Sequence, residues 1–169
     1  MLKKRSDKKA FYGIPGDNST VFTRMKYFTE FSISKNPSEY ARQYVDEDVE
    51  RTDAVKYSPS ASFSFDDHSD NAVLADIADI IDNEKVGTEA QREVIFVDFT
   101  KNSGNGFEAY KRTFAIIADS EGGSLDAYTY SGTFKSVGVQ IKGIATISAP
   151  ENGNSSNVET IEFTENSGN

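Results

Sequence analysis

Five carboxylates crowd into the stretch "DEDVERTD": Asp46, Glu47, Asp48, Glu50 and Asp53. Carboxylates so dense can hold a cation, repel an anion or pair with a basic neighbour. Cation loops converge their oxygens around a tight turn that usually needs glycine. This stretch has no glycine and carries Arg51 inside it, so a metal site is not expected and a solvated loop or a charged contact surface is. His68, in "FDDHSD", is the only histidine. Asp66, Asp67 and Asp70 beside it suggest acid–base or metal chemistry. With no second histidine and no cysteine, a polar strand-to-helix turn is the better reading. "KNSGNGFE" and "DSEGGS" are rich in glycine but lack the phosphate-loop pattern, and they read as hairpin turns. No GxSxG elbow occurs. No catalytic, cofactor-binding or metal site emerges, and an enzyme is not expected.

These residues sit in a chain of 169, a length that suits one domain. Zero cysteines exclude a thiol nucleophile and a disulfide scaffold, and suit a reducing cytoplasm. No apolar run approaches a membrane span. The start, "MLKKRSDKKAFYG", lacks the apolar stretch of a signal peptide. The acceptor sequons at Asn18 and Asn154 therefore carry no weight. Net charge is −9, but residues 1–10 set Lys3, Lys4, Arg5, Lys8 and Lys9 against Asp7. That stretch is +4 and the remainder −13. So acidic a body repels a phosphate backbone rather than gripping it.

The elements that must position these groups are mostly strands, in keeping with twelve Phe and eight Tyr. Residues 1–20 read as a polar basic arm with turn signals at Gly13, Pro15 and Gly16. "VFTRMKYFTEFSIS" alternates as one half-buried strand, with Met25, Tyr27, Phe31 and Ile33 on one face. A turn is expected at "NPS", then a strand, an acidic hairpin over 42–58, and a Ser/Phe strand through Ala61, Phe63 and Phe65. A helix over 70–83, capped by Ser69 or Asp70, places Val73, Leu74, Ile77, Ile80 and Ile81 on one stripe against a sheet. "REVIFVDFT", "EAYKRTFAIIAD", "LDAYTYSGTFKSVG" and "VQIKGIATISA" then predict an antiparallel meander. Residues 150–169 read as a polar tail with one strand-like patch, "VETIEFT".

Taken together, "SEYARQYVDEDVERTDAVKYSPSASFSFDDHSDNAVLADIADI", "REVIFVDF" and "FAIIADSEGGSLDAYTYSGTFKSVG" resemble the major tail protein, or tail tube protein, of long-tailed bacteriophages. The resemblance runs over roughly residues 20–148. It implies a mainly β fold, with two packed antiparallel sheets and one helix, in a domain over 21–149. It further implies six-membered rings whose inner sheets share a barrel. Such rings stack into a hollow virion tail tube, assembled in the host cytoplasm, through which DNA passes without specific binding. Tape-measure, tail terminator and distal tail proteins become expected partners, with no cofactor and no membrane. By the same analogy Asp46, Glu47, Asp48, Glu50, Arg51 and Asp53 reach the next ring and meet Lys3, Lys4, Arg5, Lys8 and Lys9. The rival readings are a ring-forming terminator of the same fold and a β-sandwich binding or adhesive module that stacks a ligand on Tyr128 and Tyr130.

Overall fold

The computed structural model describes residues 1–68, 70–147 and 158–166. Eleven antiparallel strands and one α-helix account for most of them: β1 Lys8–Pro15, β2 Thr20–Arg24, β3 Phe28–Ser34, β4 Pro37–Arg42, β5 Arg51–Tyr57, β6 Ser60–Asp66, α1 Ala72–Asp82, β7 Gln91–Ser103, β8 Gly106–Gly123, β9 Tyr128–Ser136, β10 Ile141–Ile147 and β11 Thr160–Glu165. There are two sheets. The larger runs β10-β11-β2-β1-β7-β8-β9-β6-β3 and closes on itself where β10 also pairs with β8; β4 and β5 form a separate ribbon.

The closure rests on the length of β8. Its first part pairs with β10, Phe107 opposite Ala145 and Lys111 opposite Ile141. Its later part, from Phe114 to Gly123, pairs with β9. One long strand therefore serves a six-stranded barrel at one end and an open wing, β9-β6-β3, at the other. Two cores follow. The barrel encloses Phe11, Ile95, Val97, Ala109, Ala145, Val158 and Ile161. The wing packs Phe63, Phe65, Phe114, Phe134 and Tyr130 beneath α1. Strands β1 and β7 face both cores. Phe11 and Tyr12 are fully buried on opposite faces, as are Val94 and Ile95, which explains the unbroken apolar run of β7.

The helix buries Val73, Leu74, Ile77, Ile80 and Ile81. Its cap is Asn71, whose Oδ1 accepts from the amides of Val73 (3.0 Å) and Leu74 (3.2 Å). Asp70 does not cap it, and Ser69 lies outside the described residues.

Four expectations need correction. Residues 1–20 are not an arm throughout, because β1 runs through the middle of the large sheet between β2 and β7. Gly13 is there for close approach rather than a turn: a Cβ would lie 2.8 Å from Thr20 Cγ2 and 3.1 Å from the Glu93 carbonyl. The single strand over 21–34 is two, broken at Tyr27, whose φ of 64° sends the chain from the barrel to the far edge of the wing. "NPS" is no turn; Pro37 opens β4, where a missing amide is tolerated on an outer strand. Finally, the meander breaks after β9, and "VETIEFT" supplies β11, a barrel strand between β10 and β2 rather than part of a free tail. The sequon at Asn154 and most of the expected tail lie outside the described residues.

Candidate assembly surfaces

The acid run caps the β4–β5 ribbon. Asp46, Glu47, Asp48 and Glu50 lie in the connecting loop, and Arg51 and Asp53 open β5. All seven β5 residues are exposed. Two ion pairs brace the ribbon from within: Arg42 to Asp53 at 2.7 Å, and Arg51 to Glu47. Asp46, Asp48 and Glu50 have no ion-pair partner among the described residues. Asn36 anchors the base, with φ of 47° and side-chain donations to the Ser58 carbonyl (3.2 Å) and Ser60 Oγ (2.9 Å). Tyr40, Val55 and Tyr57 are all exposed on the ribbon. An isolated two-stranded hairpin is marginal in water. This one exposes apolar side chains as well, which is the signature of a contact surface.

The basic residues are partly docked on their own chain. Lys3 pairs with Asp98 at 2.9 Å, and Arg5 donates to the Phe31 carbonyl at 2.7 Å. Lys4 precedes a short 3-10 turn, its amide donating to Asp7 at 2.7 Å. Lys8 and Lys9 belong to β1, and the Lys9 ammonium lies 5.3 Å from the centre of the Phe99 ring. Partial burial lowers the Lys9 pKa, with the nearby Arg24 adding to it. Among the described residues, no acid-run residue is ion-paired to Lys3, Lys4, Arg5 or Lys8.

The wing carries a third surface. β3 is its outermost strand and pairs only with β6. The face turned away from the core is a carpet of hydroxyls: Ser32 opposite Ser62, Ser62 opposite Thr133, and Ser64 opposite Ser131.

The other chemical candidates resolve into structure. The rings of His68 and Tyr27 lie 4.9 Å apart. Among the described residues no three metal-ligating side chains converge. Tyr130 is no ligand platform, because it is buried and donates to Asp82 at 2.9 Å. Burial, then that hydrogen bond, raises its pKa. Tyr12 likewise donates to Asp76 at 2.5 Å, with Arg92 Nε on the same carboxylate at 2.9 Å, and burial followed by the Asp76 charge raises its pKa. These two tyrosines tie the middle and the C-terminal end of α1 to the sheet, a role the sequence reading missed. Its only trace is a pair of aspartates flanking the apolar stripe. Asp98 was missed too. Burial raises its pKa, but hydrogen bonds from Thr100 (2.5 and 3.0 Å) and Lys3 outweigh this and hold it well below the carboxylate range.

No protein-family model matches the sequence, and no curated protein does either. Among solved structures, the chain is similar to the SPP1 tail tube solved by solid-state NMR and cryo-EM, with a TM-score of 0.67 at 14% identity, covering 89% of this chain and 84% of that one. A second similarity is to the baseplate of the anti-feeding prophage, with a TM-score of 0.48 at 8% identity, covering 84% and 95%. The barrel, the helix-covered wing and the projecting ribbon are together the fold of a phage tail tube subunit.

Proposed function

We propose that this chain is a structural subunit of a phage-type tail, in which copies join into six-membered rings that stack as a hollow tube for DNA. The observation that carries the reading is an unfinished monomer. A fold shared with a tail tube subunit leaves one strand edge single-partnered and one ribbon exposed along its length. An open edge invites strand addition from a neighbour, and a head-to-tail contact that closes by rotation makes a ring. The hydroxyl carpet of the wing suits the inner wall. Short neutral side chains on a chain of net charge −9 offer DNA phosphates little to hold. In this reading the ribbon, with Asp46, Glu47, Asp48 and Glu50 at its tip, reaches the adjacent ring, and tape-measure, terminator and distal tail proteins meet the ends of the tube.

Electron microscopy of the purified protein, concentrated alone and together with its terminator, tests this. Hollow filaments of constant diameter are expected. Isolated rings that never stack would assign the chain to the end of a tube. Monomers at every concentration would overturn the reading.

A further inference from the structure

A large concavity lies at the base of the ribbon, between β3 and the barrel strands β1, β7 and β8. Its volume is about 1270 Å³. That exceeds the roughly 300–1,000 Å³ usual for small-ligand pockets, so it fits a piece of polypeptide better than a metabolite. On a chain of net charge −9, its lining carries eight Lys or Arg against only Asp98 and Glu108. Lys26 and Lys101 are paired, with Glu159 and Glu108. Lys8, Lys35 and Arg112 have no ion-pair partner among the described residues. Met25, Phe31 and Ile33 add apolar surface beside them.

We infer that this trough receives the ribbon tip of a second copy of this chain. The inference rests on the reading that copies assemble, and it names the acceptor that such assembly needs. Three properties match. Asp46, Asp48 and Glu50 at the tip lack ion-pair partners, as do the three cations of the trough. Val45 (108% exposed) and Val49 (71% exposed) lie among those acids and suit the apolar lining. The trough is also roomier than a small-ligand pocket, which suits an extended segment of chain.

The chain's own tip does not fill the trough. Lys35 and Pro59, at the ribbon's base, line it, and six residues of β4 carry the tip about 20 Å away at the ordinary strand rise. Donor and acceptor thus lie at opposite ends of one ribbon. The contact is head-to-tail and propagates from copy to copy. Nucleic acid is the other occupant a basic trough suggests, but phosphates have no use for the apolar lining, and the rest of the chain repels them.

A charge swap tests the pairing. One variant carries Asp46→Lys, Asp48→Lys and Glu50→Lys; a second carries Lys8→Glu, Lys35→Glu and Arg112→Glu. Circular dichroism and the thermal midpoint establish that both fold. Each variant alone is expected to stay unassembled by sedimentation and electron microscopy, because its tip and trough bear like charge. Mixed in equal amounts they are expected to co-assemble, and assembly of the mixture should weaken as salt rises. If the wild type never assembles, the tail-subunit reading fails and this contact falls with it. If the wild type assembles and the trough variant does so equally well, or the mixture stays dispersed, only this contact is overturned. Wild-type capture of a short DNA duplex that the trough variant loses would give the trough to nucleic acid and overturn it as well. Should the trough variant not fold, Lys35→Glu alone replaces it, and unchanged assembly then counts against the proposal.

Discussion

The helix-covered wing and the β4–β5 ribbon are both antiparallel strands only a few residues apart in sequence, yet they hold together in different ways. In the wing, Phe63 is 1% exposed and stacks on Phe134 with centroids 4.8 Å apart. Gly132 sits opposite it because any Cβ there would lie 2.9 Å from the Phe63 ring. The helix lid is fastened by Tyr12 to Asp76 and Tyr130 to Asp82. In the ribbon, Tyr40, Val55 and Tyr57 face water and the ion pairs are exposed. Exposed pairs contribute about 0–1 kcal/mol each, far less than a buried aromatic ring. The lesson is a division of labour. The wing and barrel stabilise the monomer, and in the proposed assembly the ribbon is kept for a neighbour.

Substitutions that treat the two regions alike should expose this difference. Phe63→Ala should cost ~3–5 kcal/mol, from lost burial and the cavity left behind, measured by urea unfolding. If it cost under ~1 kcal/mol, the wing core would be looser than its packing indicates. Asp76→Ala should come next at ~2 kcal/mol, since it strands the buried Tyr12 hydroxyl and the Arg92 guanidinium. Asp76→Asn, which keeps one acceptor, should recover part of that loss.

Asp98 gives a pH-dependent version of the same test. Its folded pKa lies below the ordinary carboxylate value, so a proton binds the unfolded chain more readily. The stability it contributes is complete above about pH 4 and is lost as pH falls through the folded value. Asp98→Asn should therefore lower stability at pH 7 and flatten the acid limb of stability against pH. An unchanged acid limb would remove Asp98 from the structure's acid-sensitive groups.

The smallest expected effect on folding is in the ribbon. Tyr40→Ala and Val55→Ser should each change monomer stability by less than ~0.5 kcal/mol while reducing assembly. A ribbon substitution that unfolded the monomer would erase the distinction between the two regions.

How much of this was legible beforehand follows the same division. The apolar stripe of α1 and the Ser/Phe alternation of β6 were readable because burial on one face imposes a period. The break at Tyr27 was not, because Met25, Tyr27, Phe31 and Ile33 keep an apolar rhythm across it while the chain changes sheets. β1 was obscured because Gly13 and Pro15 mimic a turn, although both serve a strand. β11 gave only a short apolar patch, since most of its stabilising partners, on β10 and β2, are remote in sequence. Of the candidate contact residues, the exposed acids were apparent from density of charge alone. The trough was not, because Lys35, Lys8 and Arg112 meet only once the sheet has folded.

Hydrogen–deuterium exchange over residues 37–57, compared between dispersed and assembled protein, tests the central claim most directly. Ribbon amides should exchange rapidly in the monomer and become strongly protected on assembly, while those of β1, β7 and α1 are slow in both states. A ribbon already protected in the monomer, or still unprotected after assembly, would contradict the account.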